Sequence, residues 1–240
     1  MAKIKKKTTR TIMSPEEELK SISHTVSDYY QSYRKQANVV VTLVALVLIV
    51  AAVYSFVQAG NEKKAGQLFA AAYDAYAPGG GAPANYPMAL QKFQEVVKQY
   101  SGTTTGAIAE FYIGNTYASM GQTDASLKEY EAFTKKHSGD TFLLGMVYQR
   151  MGYAYLAAGK REDAVKAFGQ AEALSGIGAA TVELARLYDS SGNIPEALKK
   201  YKAISTDLPS TSWASEARTK LPPPDLGQAK KPEQPAAAAK

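Results

Sequence analysis

The sequence contains no cysteine, two histidines and one tryptophan among its 240 residues. The lack of cysteine excludes disulfides, thiol catalysis, cysteine-ligated metals and a lipid-modified N-terminal cysteine. His24 and His137 lie far apart, and no cluster of His, Asp and Glu has metal-ligand spacing. Gly159-Lys160 lacks the preceding glycine of a phosphate-binding loop. We therefore predict that the protein is not an enzyme and that it needs no cofactor or metal.

The positive charge of the chain is concentrated at its N-terminus. The net charge is +6, and residues 1–37 supply +4 of it, because they hold eight Lys or Arg and four Asp or Glu. A uniformly basic domain, which nucleic-acid binding needs, is therefore not indicated. The local charge instead favours an orientation signal and contact with anionic membrane lipid. We expect no nucleic-acid partner.

Residues 39–57 read VVVTLVALVLIVAAVYSFV and carry no charge. A helix of this length spans roughly 28 Å, close to the hydrocarbon thickness of a bilayer. A soluble core helix would not be apolar on every face for so many turns. We predict a transmembrane helix over residues 37–59. A cleaved signal peptide is the alternative because Val57-Gln58-Ala59 resembles a cleavage site, but the apolar stretch and its leader are too long for one.

The charges on either side of this segment predict its orientation. Arg34 and Lys35 precede it directly, with six further cations upstream. After it, only Lys63 and Lys64 occur before Lys92. By the positive-inside rule the N-terminus stays in the cytoplasm, and the chain from about residue 60 onward is translocated.

Residues 14–36 are predicted to form a cytoplasmic amphipathic helix. Ser14-Pro15-Glu16-Glu17 is a capping box with proline at the first helical position. Apolar residues then recur at spacings of three and four: Leu19, Ile22, Val26, Tyr29 and Tyr33. Such a stripe either lies on the inner membrane face or docks a protein partner, and both alternatives stay open. Residues 1–13 are expected to be disordered.

Beyond residue 100 one pattern occurs three times. A small residue is followed after three positions by Tyr, after twelve by a second small residue, and after sixteen by an aromatic residue. The three sets are Gly114, Tyr117, Ser126 and Tyr130; Gly152, Tyr155, Ala164 and Phe168; and Ala185, Tyr188, Ala197 and Tyr201. The pattern resembles the tetratricopeptide repeat (TPR), a pair of antiparallel helices. The small residues allow close helix approach, so Gly152 and Ala164 are expected to face one another.

A degenerate unit is predicted ahead of these three. Ala89 and Phe93 match the second half of a repeat, and residues 68–73 would supply its first helix. A Pro- and Gly-rich insertion at residues 77–86 separates the two halves. A capping helix at Ser212–Leu221 would close the domain. The predicted fold is all-α: one membrane helix, then a TPR α-solenoid over residues 60–221 with about four helix pairs, and a disordered tail at 222–240.

A basic leader, one anchor and translocated repeats with an alanine-rich first helix occur here in that order. This order resembles the bacterial ancillary SecYEG translocon-subunit (YfgM-like) family over residues 14–221. The resemblance implies a single-pass protein of the bacterial inner membrane whose periplasmic repeats assist membrane-bound chaperones near the translocon. The insertion at 78–83 and the tail depart from that family, which leaves the identity of the partner unset. Outer-membrane assembly lipoproteins fit less well because they need a cysteine, and mitochondrial receptors have longer arrays and the opposite topology.

The first helix of each unit is predicted to line a concave surface that binds other proteins. In stacked pairs, the positions three before, one after and four after the first small residue are expected to be exposed there. They are Phe111, Asn115 and Ala118; Gln149, Tyr153 and Leu156; and Val182, Arg186 and Asp189. With few charges, this surface suits an apolar or extended polypeptide and lacks the rows of Lys and Asn that hold a peptide carboxylate. The alternative is that some of these residues pack against flanking helices.

Three functions remain in view. The first is an adaptor or co-chaperone for protein export or folding, with the translocon, membrane-bound chaperones or unfolded polypeptide as partners. The second is a scaffold that organises envelope or cell-division machinery, for which homo-oligomerisation is left open. The third is an accessory subunit of a membrane complex.

Overall fold

The computed structural model describes residues 15–223, which contain nine α-helices and no strand. The chain divides into two compact units, Met1–Gly60 and Asn61–Lys240. The helices are α1 (Pro15–Tyr76), α2 (Tyr86–Tyr100), α3 (Thr104–Ser119), α4 (Thr123–Lys136), α5 (Thr141–Ala157), α6 (Arg161–Ser175), α7 (Ala179–Ser190), α8 (Ile194–Asp207) and α9 (Ser212–Lys220).

The first unit is helical from Pro15 onward. Its helix is interrupted at Tyr33, where φ is −112° and ψ is 17°. The apolar side chains of residues 39–57 are exposed in this unit, and the helix that carries them is long and apolar enough to cross a membrane. The capping box at Ser14 and the disorder expected of residues 1–13 lie outside the described residues.

The second unit is a stack of helix pairs. The last turns of α1 and all of α2 bury Ala72, Ala89 and Phe93 in one cluster. The pairs α3–α4, α5–α6 and α7–α8 follow, and α9 packs on α8. The end of α1 and α2 thus form a helix pair ahead of these three, and α9 follows the last pair. The tail beyond residue 223 lies outside the described residues.

The repeat positions make the core of this stack. The second small residues Ala164 and Ala197 and the aromatic residues Phe168 and Tyr201 are buried. Each pair turns at a glycine with positive φ, such as Gly159 at 72°, a conformation that a side chain disfavours. One detail differs from expectation. A methyl group on Gly152 would first meet the ring of Phe168, at 2.6 Å, and not Ala164.

Two local features join neighbouring pairs. The Glu62 carboxylate, in α1, accepts hydrogen bonds from the backbone N–H groups of Thr104 and Thr105, both at 2.9 Å, and so caps the start of α3. Lys200 of α8 pairs with Glu172 of α6, and both side chains are largely buried. The ammonium group of Lys200 is therefore largely covered by its contact with α6.

The Pro- and Gly-rich insertion separates α1 from α2. A single 3-10 turn, Gly79–Gly81, interrupts extended chain between the two helices. Asn85 then caps α2, because its side-chain oxygen accepts a hydrogen bond from the Met88 N–H at 3.1 Å. The insertion therefore ends at a defined helix start.

Candidate protein-binding groove

The first helices of three successive pairs enclose a pocket of about 280 Å³. It lies where the last turn of α1 meets α3 and α5, and α4 also contributes to it. We call it the central pocket. Its lining residues are Tyr76, Asn115, Ala118, Ser119, Thr123, Tyr130, Arg150, Tyr153, Ala154 and Ala157. It is a concavity on the face where repeat geometry predicts ligand binding.

Asn115 is fixed in the wall of the central pocket. The Tyr130 hydroxyl donates a hydrogen bond to its Oδ1 at 2.6 Å. Burial raises the pKa of Tyr130 well above its usual value, so this hydroxyl remains a donor at any physiological pH. The bond orients the side-chain amide of Asn115 and leaves its NH₂ group without a hydrogen-bond acceptor among residues 15–223.

Tyr153 packs against the core and is also partly exposed. Its ring meets that of Phe168 edge-to-face, with centroids 5.1 Å apart, while 37% of the residue is exposed. Its hydroxyl lies 3.5 Å from Glu183 Oε1. Burial, and then the negative charge of Glu183, raise the pKa of Tyr153. A firmly packed aromatic ring thus presents one edge to the pocket.

Arg150 carries the only charge among the lining residues of the central pocket. Within residues 15–223 its guanidinium forms neither an ion pair nor a hydrogen bond. It lies close enough to Tyr112, Tyr130 and Tyr153 for its charge to favour their ionised forms slightly. The pocket is therefore electropositive and rich in donors.

The C-terminal part of the same face is occupied by internal ion pairs. Arg186 donates two hydrogen bonds to Glu216, at 2.8 and 2.6 Å, and a third to Glu183 at 3.1 Å. Lys220 Nζ lies 2.8 Å from Asp189 Oδ2. The guanidinium of Arg186 lowers the pKa of Glu216. These pairs tie α9 to α7, and each of the two cations, Arg186 and Lys220, has a carboxylate partner.

Three of the predicted groove residues are not on the exposed face. Phe111 and Val182 are each only 2% exposed, and Asn115 is 6% exposed, although Asn115 does line the central pocket. The exposure predicted for them is wrong. The position three before the small residue turns through about 300°, so it points only about 60° away from the helix contact. It therefore faces the core.

The other predicted residues vary in exposure. Tyr153 and Ala118 are exposed and line the central pocket, whereas Gln149 is only partly exposed. Leu156 is half-buried against the α6–α7 cluster. Arg186 and Asp189 hold the ion pairs to α9. Whether any of them binds a partner stays a prediction.

Sequence reasoning missed Arg150 and Tyr76. Arg150 is two positions before the small residue Gly152, which places it about 160° around the helix from the contact with Phe168. A residue at this angle points away from the contact between α5 and α6, and the spacing from Gly152 could have shown this for Arg150. The equivalent residues of the other units are Tyr112 and Glu183. The role of Tyr76 in the pocket could not be predicted because this residue directly precedes the insertion, where the repeat spacing is interrupted.

Comparisons with known proteins agree with this geometry. Residues 150–209 match the family model described as Tetratricopeptide repeat. The crystal structure of a tetratricopeptide repeat protein from Parabacteroides merdae ATCC 43184 has a TM-score of 0.54 and 14% identity, over 66% of this chain and 59% of that one. The fold is a tetratricopeptide-repeat solenoid. TPR-like repeats from Podosopora anserina superpose with a TM-score of 0.50 and 17% identity, over 65% of this chain and 82% of theirs.

These likenesses bear on the fold alone. No curated protein is significantly similar to the sequence. TPR solenoids in general are interaction modules that bind other proteins on their concave face. Nothing in residues 15–223 points to catalysis, and they contain no group of three or more His, Asp or Glu able to hold a metal ion.

Proposed function

We propose that the protein is a membrane-tethered adaptor that binds an extended segment of another protein across the first helices of its TPR units. The observation that carries this proposal is the central pocket. It joins a partly exposed aromatic residue, Tyr153, to donors on Arg150 and Asn115 that have no acceptor among residues 15–223. Bound segments are held by such combinations of a rigid aromatic anchor and a few oriented polar groups.

The membrane part of the proposal rests on the first unit. Its apolar helix is anchored in a bilayer, with the cations of residues 1–37 on the cytoplasmic side. The TPR solenoid then lies in the periplasm of a bacterial cell. The adaptor or co-chaperone role near the translocon is supported by the order of leader, anchor and repeats.

Site-specific photo-crosslinking in native membranes tests this function. A photoreactive phenylalanine derivative replaces Tyr153 in the central pocket, and in a matched control it replaces Lys199, which is exposed on α8. We expect crosslinks from position 153 to translocon subunits or periplasmic chaperones, and none to them from position 199. Equal crosslinking at the two positions would contradict the proposal that partners bind at the central pocket. Crosslinks only between copies of this chain favour the scaffold instead.

A further inference from the structure

Two arginines on the same face of the solenoid differ in their ion pairing among the described residues. Arg186 in α7 is held by two carboxylates, Glu216 and Glu183. Arg150 in α5 lines the central pocket and has no carboxylate partner among residues 15–223. A guanidinium presents its donors in a planar fork that matches the two oxygens of a carboxylate. The donors of Arg186 are paired with carboxylates of the chain, whereas those of Arg150 have no carboxylate partner in the described part of the chain.

The other residues that line the central pocket supply hydrogen-bond donors and carry no negative charge. The Tyr130 hydroxyl donates to the oxygen of the Asn115 side-chain amide. The NH₂ group of that amide has no hydrogen-bond acceptor within the described part of the chain. Ser119, Thr123 and Tyr153 also line the pocket. No Asp or Glu lines the pocket. An anion entering it would gain several hydrogen bonds without displacing an internal salt bridge.

We infer that the central pocket binds the carboxylate of an Asp or Glu side chain within an extended polypeptide, and that Arg150 is its ion partner. This inference rests on the proposed function, because it names the residue that the groove selects. The volume of about 280 Å³ accommodates one such side chain. Neighbouring residues of the segment lie over Tyr76 and Tyr153. A lysine at the same place would be repelled by Arg150, which makes the pocket a charge-selective position.

Peptide pools of defined charge test the inference. The probes are fluorescent nine-residue pools, acetylated and amidated so that they carry no terminal charge, with the central residue fixed as Glu, Gln, Lys or phosphoserine. Binding to the full-length chain in lipid nanodiscs is measured by fluorescence anisotropy at low and high salt. We expect the Glu pool to bind about tenfold more tightly than the Gln pool, the Lys pool to bind most weakly, and the Glu advantage to shrink in salt.

Variants assign the selectivity to one side chain. Arg150→Gln is expected to make the Glu and Gln pools bind equally, while Arg150→Lys retains part of the difference because the charge remains without the fork. Lys199→Gln removes the same charge from an exposed site on α8 and is expected to keep the full difference. Persistence of the Glu preference in Arg150→Gln overturns the inference.

Other outcomes separate this inference from the proposed function. If wild-type protein binds the Glu and Gln pools equally and Tyr153→Ala weakens both, the groove binds peptides but the acidic specificity is wrong. If no pool binds wild-type protein, both ideas fail. If the phosphoserine pool binds more than tenfold better than the Glu pool, the occupant is a phosphorylated residue and the carboxylate assignment is overturned.

Discussion

The ring of Phe168 occupies the space that a side chain on Gly152 would need. A methyl group built there would lie 2.6 to 2.7 Å from three ring carbons. Both residues are buried, and the ring also meets Tyr153 edge-to-face. Glycine at this position therefore reflects close packing between α5 and α6, and no requirement for an unusual backbone conformation.

Two glycine substitutions within one repeat test this packing. Gly152→Ala is expected to destabilise the domain by about 1–3 kcal/mol, because the buried ring must move. Gly169→Ala, in α6, has no atom within 4 Å of the new methyl group and is expected to stabilise it by about 0.5–1 kcal/mol through helix propensity. Thermal unfolding followed by helical circular dichroism measures both. Equal effects of the same sign would contradict the packing.

Tyr153 is expected to contribute to both stability and binding. Tyr153→Ala removes its edge-to-face contact with Phe168, at a cost of about 1 kcal/mol in stability, and also removes the aromatic edge from the pocket. Tyr153→Phe keeps the ring, so its stability and peptide binding should stay close to wild type. Denaturant unfolding and peptide anisotropy separate the two effects. A large binding loss in Tyr153→Phe would show that the hydroxyl, rather than the ring, matters.

The pair between Lys200 and Glu172 is expected to matter more than its neighbours on α8. Lys200→Met leaves the Glu172 carboxylate buried without a cation, which should cost about 2–4 kcal/mol. Adding Glu172→Leu should restore most of that loss. Lys199→Met, next to it but 73% exposed, should change stability by less than about 0.5 kcal/mol. The measurement is a double-mutant cycle by denaturant unfolding. A double variant as unstable as Lys200→Met would rule out charge burial as the cause.

The contact between Arg186 and Glu216 should make stability depend on pH. The folded pKa of Glu216 lies below 4.5, its ordinary value, so the unfolded state takes up the proton first as the pH falls. The stabilisation is therefore complete above about pH 5 and is lost as the pH falls through the folded pKa. Glu216→Gln should be less stable than wild type at neutral pH and equal to it in acid. A constant difference across that range contradicts the assignment.

The membrane orientation proposed for the apolar helix is tested with reporter fusions. An enzyme that is active only outside the cytoplasm should work when joined after residue 221 and fail when joined at residue 1, because the N-terminal cations stay inside. A fluorescent protein that matures only in the cytoplasm should give the reverse pattern. Activity of the first reporter at residue 1 would refute the periplasmic location of the solenoid.

The helix pairs were predictable because their signal lies within single helices. Close packing restricts a position such as Ala164 to small residues and one such as Phe168 to aromatic residues, so the same types recur at the same spacing. The turn glycines add a second signal, since positive φ favours glycine. These constraints predicted the all-helical stack of helix pairs.

The groove was predicted less well because its composition depends on contacts between helices. Nothing in the sequence of α7 shows that Glu216, thirty residues after Arg186, will neutralise it. Nor does the sequence of α5 show that Arg150 has no carboxylate partner among residues 15–223. The angle at which successive helix pairs stack determines whether each of these arginines meets a carboxylate. The burial of Phe111 has a simpler cause, since its position on α3 turns it toward the core.

The ion pairs that tie α9 to α7 also limit the length of the segment that the proposed groove would bind. They leave the open part of the face between α1 and α5, a distance of two helix spacings of about 9 Å each. An extended chain covers that distance with about six residues. A sequence so short recurs by chance in many proteins. Under the proposed function, discrimination then depends on the membrane anchor, which would confine the solenoid and its target to one surface and raise their effective concentration.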